Sequence, residues 1–268
     1  MAQGTAHILV EHRRTGCVWI SFNHPERLNA FDGDTCLELA AAIEEASANP
    51  EIGVIILSGV GDKAFCTGGY LGELTSFNPE KARHLFGSAM KALEAIRSAP
   101  QPVIAAINGY AVGGGNEFVV ACDLAIASDK AKLGQTGPRI GSSPVFGATN
   151  LFAMSVGEKR AKEICMLCRQ YTAAQALEMG WINAVVPHEQ LEAEVDRWVD
   201  ELLAKSPAYL EVTKISSNVW WDMMRPHFNH AGQALMRMAG HPEMIEGATA
   251  FMEKRPPDFQ QFRTRRGK

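Results

Sequence analysis

Two glycine-rich segments and one carboxylate are the residues of this chain whose types and spacing could do chemistry. The first segment is AFCTGGY, residues 64–70, and the second is NGYAVGGGNE, residues 108–117. Glycine has no Cβ, so backbone N–H groups in such loops can come close to a ligand. Two loops of this kind can aim a pair of N–H donors at one carbonyl oxygen. The second loop also opens a helix, whose N-terminal dipole favours developing negative charge. Glu117 follows Gly114 by three residues and emerges on the same face of that helix. Its neighbours Phe118, Val119, Val120 and Ala121 are apolar, which adds weight to an inward carboxylate that handles protons. A solvated glutamate that compensates the helix dipole is the plainer reading. A tight structural turn explains the glycines equally well.

Spacing excludes other chemistries. Neither loop contains the GxGxxG of a dinucleotide site, and Asn116-Glu117 stands where a phosphate loop needs GK[ST]. The six cysteines (17, 36, 66, 122, 165, 168) supply no metal or disulfide framework. Cys165 and Cys168 form a CxxC with no second pair at zinc-ligand spacing, inside a helix-forming stretch, 158–169, where apolar packing is expected. His227 and His230 share a helix face without a third ligand, so no metal site is expected. Reduced thiols fit a cytoplasmic location. The first residues, MAQGTAHILVEHRR, have no signal-peptide core. The longest apolar stretch, 102–118, is broken by Asn108, Gly109 and the run 113–115, so no membrane partner is expected.

The 268 residues are 46% hydrophobic and 21% charged, an ordinary globular mix, and a net charge of −4 argues against nucleic acid. The C-terminus differs. Its last fifteen residues set Lys254, Arg255, Arg263, Arg265, Arg266 and Lys268 against the single acid Asp258. Such a tail is either a solvated surface or a contact for a phosphate-bearing ligand.

The elements that must hold the two loops alternate along the chain. Residues 7–12 and 17–22 read as a hairpin. A helix is expected over 35–48 with Asp34 as N-cap, then a buried strand at 54–57 and an irregular loop over 58–79. Pro79 starts a helix with the stripe Ala82, Leu85, Phe86, Ala89, Leu93 and Ile96. A strand at 103–107, a helix at 116–121 and a strand at 124–127 follow. Beyond residue 144 the pattern is mostly helical, with one strong stripe at Leu191, Val195, Trp198 and Leu202. Trp220 and Trp221 are expected to fill that helical layer or a subunit contact. The alternation implies an α/β architecture with parallel strands. No linker composition appears, so residues 1–200 are expected to form the core and 201–268 a helical region of the same domain.

These segments resemble those of the crotonase (enoyl-CoA hydratase/isomerase) superfamily. The matching stretches are HPERLNAF (24–31), AFCTGG (64–69), PVIAAINGYAVGGGNEF (102–118), ACDLAIAS (121–128), AQALEMGWINAVVP (174–187) and EGATAFMEKRPPDF (246–259), nearly the whole chain. The resemblance implies a crotonase-like spiral of ββα units, with a helical C-terminal region packing homo-oligomers, a trimer or a dimer of trimers. It implies that the N–H groups of Gly69 and Gly114 form an oxyanion hole for an acyl-CoA thioester, with Glu117 as acid/base. Arg27, Leu28, Ala30, Ala64, Gly68 and Tyr70 would lie along the substrate or its coenzyme A. Phe251 and Lys254 would approach from the C-terminal region of the same or a neighbouring subunit. No tightly bound cofactor is implied; coenzyme A arrives as part of the substrate.

The chain also departs from the family. Hydratases carry a second glutamate, and Gly137, within GQTGPRIG (134–141), stands at its position. Gln135, Thr136, Gly137 and Arg139 are then a possible anion or second acid/base site, where a water or a small anion such as bicarbonate carries the second proton. GQTGPRIGS with residues 156–180 is similar to dihydroxynaphthoyl-CoA synthases and ketocyclohexane-carboxyl-CoA hydrolases. Those branches have an aspartate at Pro144, an aromatic residue at Cys165 and no glutamate at Glu117. Tyr70 stands where many relatives have aspartate, and reads as a hydroxyl near the acyl group or a packed ring. His84 stands where related dehalogenases place an active-site histidine, and reads equally as a surface residue. The leading expectation is hydration or double-bond isomerisation of an enoyl-CoA. The alternatives are a C–C hydrolase or ring-closing synthase for a cyclic β-oxo acyl-CoA, and a non-catalytic paralogue that binds coenzyme A or RNA. The segment 70–77, the helix after Pro79 and the C-terminal helices would select the acyl group, and none carries a specific code.

Overall fold

The computed structural model describes residues 7–72, 78–147 and 149–263. The chain opens on an antiparallel pair, β1 (Ile8–Arg14) and β2 (Cys17–Phe22), followed by a 3-10 turn at Pro25–Arg27 and α1 (Gly33–Ala48). The spiral then runs through β3 (Val54–Gly59), β4 (Ala64–Cys66), α2 (Pro79–Ser98), β5 (Val103–Ile107), β6 (Tyr110–Val112), α3 (Gly114–Ala121), β7 (Leu124–Ser128) and β8 (Lys132–Gly134). It continues with α4 (Phe152–Val156), α5 (Glu158–Leu167), β9 (Gln170–Thr172), α6 (Ala173–Glu178), β10 (Ala184–Val186) and α7 (Leu191–Leu203). Four helices follow: α8 (Pro207–Ser217), α9 (Val219–Met236), α10 (Pro242–Met252) and α11 (Gln260–Arg263).

Each of three successive turns gives its first strand to one sheet and its second to another. The larger sheet runs β1-β2-β3-β5-β7-β10, parallel throughout except for β1. The smaller runs β4-β6-β8-β9, with β9 antiparallel. The central strands of the larger sheet, β2, β3 and β5, read as largely apolar runs because helices cover both of its faces, whereas the edge strand β1 is mostly exposed. On one face Ile20, Phe22, Ile55 and Leu57 pack with Leu39 and Ile43 of α1 and Leu93 and Ile96 of α2. On the other, Trp19, Ile56, Ile104 and Ile126 meet Leu191, Val195 and Val199 of α7. The amphipathic stripe expected at 191–202 is therefore the cover of the second face. Burial of each of its aliphatic side chains contributes roughly 1.5–3 kcal/mol.

Several local expectations need correction. Asp32, not Asp34, caps α1: its carboxylate accepts from the Thr35 N–H at 2.9 Å, and the Thr35 hydroxyl answers the Asp32 N–H, a reciprocal capping box. Asp34 sits in the first turn and meets exposed His84 at 3.1 Å. The helix expected at 116–121 starts at Gly114. The CxxC is not inside one helix; Cys168 lies just beyond α5 with φ 54°, and both thiols are buried. β4 falls within the stretch expected to be an irregular loop, and β9 and β10 within the one expected to be helical.

The C-terminal helices are tied to the core by one buried lysine. Lys214 of α8 donates to the carbonyls of Ile96 and Gln101, each at 2.9 Å, and pairs with Asp123 at 2.7 Å. Trp221 is buried beside Phe228, whereas Trp220 is exposed. Tyr209, Val212, Ile215, Val219 and Met223 are exposed on the same two helices. Among the described residues no helix is long and apolar enough to cross a membrane.

Candidate active site

Both glycine loops leave the ends of adjacent parallel strands. β4 and β6 pair with Ala64 opposite Tyr110 and Cys66 opposite Ala111, so the loops that follow lie side by side. Their contact requires glycine. Gly68 has φ +92°, and a Cβ there would stand 2.9 Å from the Gly114 nitrogen. A Cβ on Gly115 would stand 1.9 Å from the Cys66 carbonyl oxygen, so only glycine lets α3 come this near β4.

Phe31 flanks the first loop. Its N–H donates to the Gly68 carbonyl at 2.9 Å, and its carbonyl accepts from the Tyr70 N–H at 2.8 Å, which makes an isolated bridge to Gly69. In such a bridge the N–H of the central residue faces away from its partner, so the Gly69 N–H points away from Phe31. Gly114 is the first residue of α3, where a helix leaves its N–H groups without intrahelical acceptors.

A cavity of about 550 Å³ opens between the loops. Of the residues singled out in the sequence, Arg27, Leu28, Ala30, Gly68, Gly69, Tyr70, Gly114, Glu117, Gln135, Thr136, Gly137, Arg139 and Phe251 line it. Ala64 and Lys254 do not. Ala64 lies in β4 with its carbonyl accepting from the Asn29 Nδ2 at 2.7 Å, and Lys254 is exposed beyond α10. His84 lies outside this cavity as well, at the exposed Asp34 contact. An apolar part of the wall is formed by Leu85, Phe86 and Leu93 of α2 with Phe118 and Phe146.

Glu117 is the buried carboxylate of this cavity. Its Oε1 accepts from the Phe146 N–H at 2.7 Å. Burial pushes its pKa up to about 8, and the Phe146 N–H, which favours the anion, offsets only part of that rise. Such a group can hold or release a proton near neutral pH. Cys165, by contrast, is pushed up to about 12, first by burial and then by Glu117, and stays a thiol.

Gln135 is fully buried, and among the described residues neither its Nε2 nor its Oε1 has a partner. At Gly137 the space toward which a side chain would project is filled: a Cβ would stand 2.9 Å from the Ser143 Cα and 3.0 Å from the Pro144 Cδ. The Ser143-Pro144 segment that covers Gly137 also leads to Phe146, the donor to Glu117.

Arg27 pairs with Asp32 at 3.0 Å and lies over the ring of half-buried Tyr70 at 5.0 Å. Asp32 is held down to about 2: burial alone would raise it, but the Thr35 N–H and hydroxyl and the Arg27 guanidinium outweigh that. In the basic C-terminus, Arg255 is engaged by Glu246 and Glu253, while Arg265, Arg266 and Lys268 lie outside the described residues. The segment 70–77 lies outside them from 73 onward. Among the described residues no group of three acidic, histidine or cysteine side chains could hold a metal ion. Sequence reasoning missed Phe146 and Asp32. The first acts through its backbone and leaves no side-chain signal; the second was legible as the D-x-x-T of a capping box.

Known proteins share this fold. The family model described as enoyl-CoA hydratase/isomerase matches residues 12–263. An enoyl-CoA hydratase from Mycobacterium avium subsp. paratuberculosis K-10 is 30% identical over 96% of this chain and 99% of its own, with a TM-score of 0.84. An enoyl-CoA hydratase from Bacillus anthracis is 32% identical over 94% of this chain and 98% of its own, with a TM-score of 0.77. A monofunctional enoyl-CoA isomerase from M. smegmatis is 27% identical over 82% of this chain and 95% of its own, with a TM-score of 0.70. With a match this long and a fold this close, the chain belongs to the enoyl-CoA hydratase/isomerase family of the crotonase superfamily.

Proposed function

We propose that the protein hydrates or isomerises an enoyl-CoA through a thioester enolate held by the N–H groups of Gly69 and Gly114. Glu117 is the acid/base. The observation that carries this reading is the Glu117 carboxylate, buried in the cavity of the two glycine loops with its pKa raised to about 8. In hydration, Glu117 takes a proton from the water that attacks the β-carbon, and the electron pair moves to the thioester oxygen. The enolate collapses when a proton returns to the α-carbon. In isomerisation the same carboxylate removes a proton at one carbon and returns it at another, which needs no second carboxylate. Two oriented donors suit this charge movement, and loss of one such donor typically costs ~10²–10³ in rate.

The rest of the cavity suits the same substrate. Arg27, Leu28 and Ala30 would run along coenzyme A, with Phe251 closing the cavity from α10. A water or a small anion such as bicarbonate beside residues 135–137 would carry the second proton, with the unpartnered Gln135 amide as its holder. Added bicarbonate should then raise hydration. The chain would work as one domain in a trimer or dimer of trimers, with the apolar side chains exposed on α8 and α9 at the subunit contacts.

The test is Glu117→Gln, assayed for crotonyl-CoA hydration and for double-bond isomerisation. Both rates should fall by about 10³. Full turnover by the variant would remove Glu117 from the mechanism.

A further inference from the structure

We infer that Asp32 is a positioning residue for the Gly69 N–H, acting through Arg27 and Tyr70. The inference rests on the oxyanion reading above and deepens it.

The first glycine loop is held from one side by residues 27–32. The Thr67 hydroxyl donates to the Leu28 carbonyl at 3.1 Å, and the two Phe31 hydrogen bonds grip Gly68 and Tyr70. Gly69 therefore takes its position from the shape of this short segment. That shape is strained at Leu28, whose φ of 56° is a left-handed conformation costing about 1–2 kcal/mol for such a residue; Asn29 has the same φ but is a residue type that adopts it readily.

Something must hold the strain in place. Asn29 is locked through its side chain, whose Oδ1 accepts from the His24 N–H and whose Nδ2 donates to the carbonyls of Val60 and Ala64. The other end is locked by charge. The Arg27 Nη2 donates to the Asp32 Oδ2 at 3.0 Å, while its buried Nε has no partner. Asp32 is fixed in turn by the Thr35 N–H and hydroxyl, at 2.9 and 2.7 Å. The guanidinium so fixed lies over Tyr70, the residue next to Gly69. Without the carboxylate, only a cation–π contact of ~0.5–1 kcal/mol would keep Arg27 against that ring. Donor geometry in an oxyanion site is demanding, and a shift of about 1 Å can cost ~10² in rate.

The test is Asp32→Asn, which keeps a side-chain oxygen for the helix cap and removes the charge that holds Arg27. The probe is an aryl-enoyl-CoA thioester, whose conjugated absorption moves to the red when protein donors polarise its carbonyl. Wild type should show that red shift. Asp32→Asn should show a smaller one and turn over crotonyl-CoA about tenfold more slowly at saturating substrate. Tyr70→Leu should reproduce the loss without touching the cap, and serves if Asp32→Asn does not fold. The inference is overturned if a folded variant keeps the full red shift and kcat, or if it loses only coenzyme A affinity. A wild-type enzyme without a red shift would instead overturn the oxyanion reading on which the inference stands.

Discussion

Glu117 and Lys214 are both buried ionisable groups, and they are treated in opposite ways. Lys214 has every partner it needs: one carboxylate, Asp123, and two carbonyls, Ile96 and Gln101. Burial lowers its pKa, but the Asp123 carboxylate works to keep it charged, and it fastens α8 to the core. Among the described residues no cation stands beside Glu117. It accepts one backbone hydrogen bond and is otherwise enclosed by apolar groups such as Phe118 and Phe146. Burial works against the charge of both, but only Lys214 is given a counter-charge that offsets part of that cost. The difference separates a structural ion pair from a group kept ready to exchange a proton.

The sharpest way to break this comparison is to neutralise each side. Glu117→Gln should lower kcat by about 10³, equivalent to roughly 4 kcal/mol in the barrier. Lys214→Met should leave kcat per folded molecule unchanged but cost about 3–5 kcal/mol of stability, because Asp123 stays behind without its cation. Thermal denaturation and a single activity assay on both variants would distinguish the two roles. A large kcat loss in Lys214→Met would erase the distinction.

Smaller effects sharpen it. Gly137→Glu places a carboxylate at the position where the family resemblance expects a second glutamate, but its Cβ meets Ser143 and Pro144. The variant should lose about 1–3 kcal/mol of stability and gain no hydration rate. Faster hydration would show that the covering segment yields. The pH dependence follows from the raised pKa of Glu117. As the base in hydration it must be ionised, so kcat/KM should rise with pH and level off above about 8.

Stability should run the other way. The unfolded chain ionises Glu117 from about pH 4.5, whereas the folded chain holds its proton to about 8. Between these values the unfolded state binds fewer protons, so stability falls as pH rises and stops falling above about 8. Glu117→Gln should remove this slope and gain up to about 5 kcal/mol at pH 8.5, a rise of several degrees in Tm. An equal decline of Tm with pH in both proteins would refute the raised pKa.

Legibility in the sequence followed side-chain periodicity. The central strands of the larger sheet and the α7 stripe announced themselves as apolar runs and as a helical repeat, because burial on both faces demands those patterns. The smaller sheet did not. β4, β6, β8 and β9 have three residues each, too few to show alternation, and they are defined by pairing with strands distant in sequence. Glu117 stood out as a charge in an apolar helix. The glycine at 137 could be seen to replace a carboxylate, but Ser143 and Pro144 packing over it is a tertiary fact with no local trace. The same holds for Arg27 over Tyr70, forty-three residues apart in the sequence.

The pairing of β4 with β6 has a consequence for redesign. Gly69 and Gly114 each lie a few residues beyond one of these two adjacent strands, so the distance between the two glycine loops is tied to the inter-strand repeat of roughly 4.8 Å. The sheet acts as a gauge block for that distance. Under the proposed function, cavity-wall side chains of α2 such as Leu85 and Phe86 could be exchanged to admit another acyl group while the backbone ladder keeps the loop spacing.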